Sequence, residues 1–163
     1  EYLKIVEYKT AGLIAAACRM GAMLADASET QQDALFRFGL HLGIAFQVAD
    51  DTLDYTANGE HLGKSLGQDL RQGKATLPLL HLLHHCSEQD RQMIVDRMES
   101  RTLTEVDLGR FIHLMEERGS IAYAMDRARS YIAAAQRDLD LFEDSTAKRA
   151  LSVTADYMVT RDR

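Results

Sequence analysis

Three aspartates, Asp50, Asp51 and Asp54, stand close together in "FQVADDTLDYTANGEHLGKS". Asp50 and Asp54 are four positions apart and Asp51 and Asp54 three, so a helix through this segment would put the carboxylates on one face. Like-charge pairs at that spacing oppose a helix by ~0.2–0.5 kcal/mol each. Negative charge in a closing turn also meets the negative end of the helix dipole, at a further ~0.3–1 kcal/mol. Local stability therefore does not account for the arrangement. A divalent cation does, because it turns mutual repulsion into shared attraction. Ligands that are all carboxylate oxygen select hard ions, and Mg²⁺ in particular binds through one or two carboxylates while keeping waters and substrate phosphates as its other ligands. The alternative is a solvated acidic face; the apolar flank "GIAFQVA" and the cationic loop that follows argue for the metal.

That loop, "GKSLGQDLRQGKATLP", brings Lys64, Arg71 and Lys74 close behind the acidic turn. Lysines serve as point-charge phosphate binders, and glycines let backbone approach closely. Two better-known motifs do not fit. "GEHLGKS" resembles a phosphate-cradling P-loop, but Gly59 lies one residue too close to Gly63 and no strand precedes it. "DYTANGEHLGKS" resembles a calcium-binding EF-hand loop, but Ser65 stands where the bidentate glutamate belongs. Upstream, "EYKTAG" places Lys9 and Thr10 on an apolar-flanked helix, where the lysine reads either as a snorkelling surface residue or as a ligand-binding cation. Magnesium carboxylates with scattered lysines imply a diphosphate.

The elements that must hold these groups read as helical throughout, and nothing alternates over a strand's length. The pattern predicts helices over Tyr2–Leu24 and Thr30–Tyr55, the second capped by Ser28 or Thr30. A long glycine-bearing loop, Ala57–Gly73, follows, and then Thr76 and Pro78 open a short helix "LPLLHLLHHC". Further helices are expected over Glu88–Glu99, Glu105–Glu117, Ile121–Phe142 and Thr146–Thr160. Gly39 and Gly43, one turn apart, cost ~1 kcal/mol each relative to alanine and imply close approach of a neighbouring helix.

The 163 residues suit one folding unit, with one proline, ten glycines and no linker. A net charge of −6 argues against a nucleic-acid surface, and the longest apolar run falls well short of the ~20 residues that cross a bilayer. Cys18 and Cys86 read as packing residues in a reducing cytoplasm. The chain opens without an initiator methionine inside an amphipathic pattern, as expected of a piece of a longer protein.

"FQVADDTLD" followed by "GKSLGQDLRQGKATLPLL" resembles the second aspartate-rich region of the trans-type polyprenyl (isoprenyl) diphosphate synthases, and "YKT" sits where that family has a lysine–threonine pair. The likeness runs to the closing "RDR", is nearest to the bacterial long-chain enzymes of quinone side chains, and covers about the C-terminal half of the family's length. It implies the all-α isoprenoid synthase helical bundle, with residues 1–163 as the C-terminal portion of a single synthase domain. It implies that Asp50, Asp51 and Asp54 bind Mg²⁺, with Asp50 the surest direct ligand, and that Lys9, Lys64 and Lys74 hold the allylic diphosphate. Thr10, Phe46 and Gln47 would line the site near the developing carbocation. The reaction implied is ionisation of the allylic diphosphate, attack by the double bond of isopentenyl diphosphate, and proton loss to give a trans long-chain polyprenyl diphosphate. The family has a second DDxxD, absent here, so this chain alone is expected not to turn over. A homodimer in the cytoplasm, with peripheral membrane contact for product release, also follows from the resemblance.

Two other readings share these residues: a non-catalytic subunit of a heteromeric synthase and a class I terpene cyclase. Retention of Lys9, Gln47, Asp50, Asp54, Lys64 and Lys74 argues against the first, and "GKSLGQDL" with "GKATLP" against the second. His81, His84, His85 and Cys86 have spacings a zinc ion could use but suit a helix C-terminus, so a structural or surface role is expected. Phe36, Phe38, Met93 and Met98 are assigned to the core, and "RDLDLFED" around Asp138 to a solvated face.

Overall fold

The computed structural model describes residues 1–56 and 66–160. Among the described residues there are nine α-helices, one π-helical turn and one 3-10 turn, and no strand, in agreement with the all-α expectation. Contacts divide the chain into two compact units, Glu1–Ala49 with the described residues from Asp126 onward, and Asp50–Met125. No helix among the described residues is long and apolar enough to cross a membrane.

The first unit opens with α1 (Tyr2–Val6), a π-helical turn (Glu7–Ala11) and α2 (Gly12–Leu24). The sequence predicts one uninterrupted α-helix here; the structure inserts a π turn carrying Lys9 and Thr10. An extra residue shifts the helical phase by about 100°, but only five α-helical residues, Tyr2–Val6, precede the turn, too few to set an apolar phase against which the shift would register. Helix α3 (Glu29–Leu53) follows. Ser28 is its cap: Gln31 N–H donates to Ser28 Oγ at 3.3 Å, and Ser28 N–H donates to Gln31 Oε1 at 3.0 Å.

Gly39 and Gly43 let α3 press onto the preceding segment, as expected. A Cβ at Gly39 would lie 2.7 Å from Ala15 Cα, and one at Gly43 2.5 Å from Ala11 Cα. Phe38, Leu42 and Ala45 of α3 then close a core with Ile132, Ala135, Leu139 and Ala155, against which Cys18 also packs. Burial holds the Cys18 thiol above its ordinary range, as suits a packing residue.

The other helices of this unit are the later part of α8 (Ser120–Asp138) and α9 (Thr146–Thr160). Helix α8 stops at Asp138 and tightens into a 3-10 turn, Leu139–Leu141, short of the expected Phe142. The expected solvated face holds for Asp140, Glu143 and Asp144, which are exposed, and is corrected at Asp138. Its side chain is only 12 % exposed, accepting hydrogen bonds from Arg37 Nε at 2.9 Å and pairing with His41 Nδ1 at 2.8 Å. Both partners lie 97 or more positions away in sequence, beyond any local pattern.

In the second unit the end of α3 is followed by α4 (Gln68–Arg71), α5 (Leu77–His85), α6 (Glu88–Ser100) and α7 (Glu105–Glu117). Tyr55, Leu70, Leu79, Leu82, Ile94, Phe111 and Met115 form its core, with Cys86, Met93 and Met98 packed against it. Ser87 caps α6 by accepting from Asp90 N–H, and Thr104 with Asp107 makes a reciprocal capping box on α7. The expected loop Ala57–Gly73 is corrected in its later part, which forms α4; residues 57–65, and with them Lys64, lie outside the described residues.

Candidate functional site

The glycine contacts of α3 have a consequence one turn further along. Positions 39, 43 and 47 lie in one row, and where α3 leaves Gly43 against Ala11, the Thr10 hydroxyl donates to Gln47 Oε1 at 2.8 Å. Gln47 is 8 % exposed, and Ala45, Val48 and Ala49 beside it are buried, which bears out the half-buried flank. Phe46 is half-buried and Lys9 is exposed. A π turn under Thr10 re-aims its side chain relative to a regular helix, and such turns recur at functional sites.

In the second unit Asp54 bonds to the backbone of residues 67 and 69. Its carbonyl accepts from Gly67 N–H at 2.9 Å and its Oδ2 from Asp69 N–H at 2.8 Å. Burial raises the Asp54 carboxyl above the usual range, the nearby Asp69 charge adds to this, and the N–H groups of Asp69 and Gln68 oppose it. Helix α4 is only four residues long and ends in a Schellman turn: Gly73 has φ +73°, Gly73 N–H reaches Leu70 O at 3.0 Å and Lys74 N–H reaches Asp69 O at 2.9 Å. This left-handed residue reverses the chain so that Lys74 Nζ comes back to Asp69 Oδ1 at 2.8 Å. The Asp69 bond raises the Lys74 ammonium above its ordinary range, and the charges of Asp51 and Asp54 reinforce it.

Behind this group, the Tyr55 hydroxyl is hydrogen-bonded to the Thr76 hydroxyl, and burial pushes the phenol far above its usual range. Thr76 thus stands at the N-cap position of α5 without capping it by its side chain, with Pro78 in the first turn as expected. Arg71, the third cation of the loop, turns instead to Glu105 at the start of α7.

Of the site residues read from the sequence, the structure joins Thr10 to Gln47, and Asp54 to Lys74 through Asp69. Asp50 and Asp51 are half-buried at the end of α3. Among the described residues no group of three or more His, Cys, Asp or Glu side chains is placed to hold a metal ion. The donors at hand, carboxylate oxygens only, nonetheless suit a hard cation in kind. Asp69 is the residue that sequence reasoning missed: it lies five positions before Lys74, a spacing that faces nothing on a regular helix and pairs only because Gly73 turns the chain. The histidine segment behaves as expected, with His81 Nδ1 3.0 Å from Ser120 Oγ and its ring stacked on Tyr123 and His85.

Known proteins share this sequence and fold. Octaprenyl diphosphate synthase of Haemophilus influenzae is 37% identical over 161 residues, 99% of this chain and 49% of its own length. Geranylgeranyl diphosphate synthase of Methanosarcina mazei is 38% identical over 162 residues, 99% of this chain and 48% of its own length. The two are named for products of different length, so similarity over this stretch does not select one. The polyprenyl synthase of Caulobacter crescentus CB15, solved in complex with calcium and isoprenyl diphosphate, superposes with a TM-score of 0.92 at 39% identity, over 98% of this chain and 49% of that one. The chain therefore spans about half the length of the relatives it matches. With a TM-score of 0.92 to a polyprenyl synthase, and with residues 1–115 matching the sequence model described as polyprenyl synthetase, the chain belongs to the polyprenyl synthetase family.

Proposed function

We propose that this chain supplies the second magnesium–diphosphate half of a trans-polyprenyl diphosphate synthase, a prenyltransferase that condenses isopentenyl diphosphate with an allylic diphosphate. The observation that carries the reading is the chain of bonds in which the Asp54 carboxylate accepts from the Asp69 N–H and the Asp69 carboxylate accepts from the Lys74 ammonium, linking a carboxylate of the acidic cluster to a lysine through one residue. A metal-bound diphosphate needs both signs at close range. In this reading Asp50, Asp51 and Asp54 hold Mg²⁺, which when bound neutralises charge on the departing diphosphate. Mg²⁺ commonly takes one or two carboxylates and completes its shell with water and phosphate oxygens, so an all-protein cage is not required.

Lys9, Lys64 and Lys74 hold the allylic diphosphate, where fixed cations stabilise the charge that accumulates on it. Thr10 and Gln47, tied to each other, present fixed dipoles near the carbocation, and Phe46 offers an aromatic face to it. Apolar surroundings protect the cation from water. The chain alone does not turn over; the complete enzyme is a cytoplasmic homodimer that touches the membrane peripherally to release product.

The test is incubation of the full-length gene product with Mg²⁺, isopentenyl diphosphate and a C15 allylic diphosphate. A linear polyprenyl diphosphate is expected. A cyclic hydrocarbon would identify a terpene cyclase instead, and no product a non-catalytic subunit.

A further inference from the structure

We propose that Asp69 is a positioning residue that locks Lys74 in register with Asp54, so that one residue sets the diphosphate-binding cation against the metal-binding carboxylate; the inference rests on the diphosphate reading above. Three contacts converge on it. Its Oδ1 accepts from Lys74 Nζ at 2.8 Å, its carbonyl accepts from Lys74 N–H at 2.9 Å, and its own N–H donates to Asp54 Oδ2 at 2.8 Å. The two residues it joins are 20 positions apart in sequence and make no direct bond to each other among those described.

The partners differ in how much they need fixing. The Lys74 side chain is 51 % exposed, whereas that of Asp69 is 16 % exposed and fixed by α4 and the Schellman turn. A half-exposed lysine has many rotamers and loses that freedom when it binds an anion. A carboxylate already seated against its ammonium removes most of the search beforehand. A further carboxylate facing a diphosphate directly would repel it, so the benefit of Asp69 lies in what it does to Lys74. Asp69 thus acts through its neighbour, and its removal has no further effect once Lys74 is gone.

Two measurements on the full-length gene product test the proposal. The first is the side-chain NMR signal of ¹³C-labelled Lys74 in Asp69→Ala and in Asp69→Asn, the second of which keeps the size and every backbone contact should the first fail to fold. The signals are expected to move to positions typical of freely rotating lysine. The second is calorimetric titration with inorganic pyrophosphate in the presence of Mg²⁺. Lys74→Ala is expected to weaken binding about tenfold or more, Asp69→Ala about three- to tenfold, and the double variant no more than Lys74→Ala alone. Unmoved Lys74 signals, binding retained in full by both Asp69 variants, or additive losses in the double variant would overturn the inference alone. Failure of the unsubstituted full-length protein to bind magnesium pyrophosphate would overturn the diphosphate reading and the inference with it.

Discussion

Thr10 Oγ1 lies 2.8 Å from Gln47 Oε1, donating a hydrogen bond that spans 37 positions of sequence and joins a π turn to the closing turns of a long helix. It depends on the absence of a side chain one turn away, at Gly43, where the backbone of Ala11 occupies the space a Cβ would need. Gly43→Ala should therefore destabilise by about 1–3 kcal/mol, the usual cost of overpacking. Thr10→Val, which removes only the hydroxyl, should cost about 0.5–1.5 kcal/mol. Urea unfolding of the two variants checks both values, and equal stability of Gly43→Ala and the parent chain would mean that the helices can separate without loss.

Asp138 is the half-buried partner of two groups on α3. Asp138→Ala is expected to cost about 1.5–3 kcal/mol, the scale of hydrogen bonds made by a charged group. Arg37→Ala should cost only ~0.2–1 kcal/mol, because the Arg37 side chain is 53 % exposed and its ion pair is screened. Thermal or urea unfolding of the pair decides whether the burial of Asp138 or the charge of Arg37 dominates.

These residues also mark where sequence reasoning stops. Regular helices, the cap at Ser28, the α5 start at Thr76 and Pro78, and the close approach at Gly39 and Gly43 were legible because each leaves a local signature: periodicity, a capping residue, proline in a first turn, or glycine where a helix disfavours it. The aspartate cluster was legible because it is locally unfavourable. The π turn was not, since the five α-helical residues before it are too few to define a phase from which a shift could be read. Nor were Asp138 and Asp69. The first finds its partners 97 or more positions away. The second pairs five positions on, through a left-handed glycine whose φ no periodicity encodes.

His81 gives the chain a pH response of definite sign. Burial, followed by the neighbouring His85 and His84, holds its imidazole below the ordinary histidine value of about 6.5. The folded chain therefore binds that proton more weakly than the unfolded chain, so protonation favours unfolding. Stability from this group is complete above about pH 6.5 and falls as pH drops from there toward the lower folded value. Unfolding midpoints collected from pH 8 to pH 5 should show the decline, and His81→Gln should flatten it.

The most direct test of magnesium and diphosphate use is turnover by the full-length gene product carrying Asp50→Ala, measured as transfer of radiolabelled isopentenyl diphosphate beside its melting temperature in metal-free buffer. A fall in kcat/KM of roughly 100-fold or more is expected, the scale lost with one charge-stabilising group, with an unchanged or slightly higher melting temperature as like-charge repulsion on α3 is relieved. Full turnover, or a clear drop in metal-free melting temperature, would contradict magnesium binding by the aspartates, because they would then be serving the fold and not the metal.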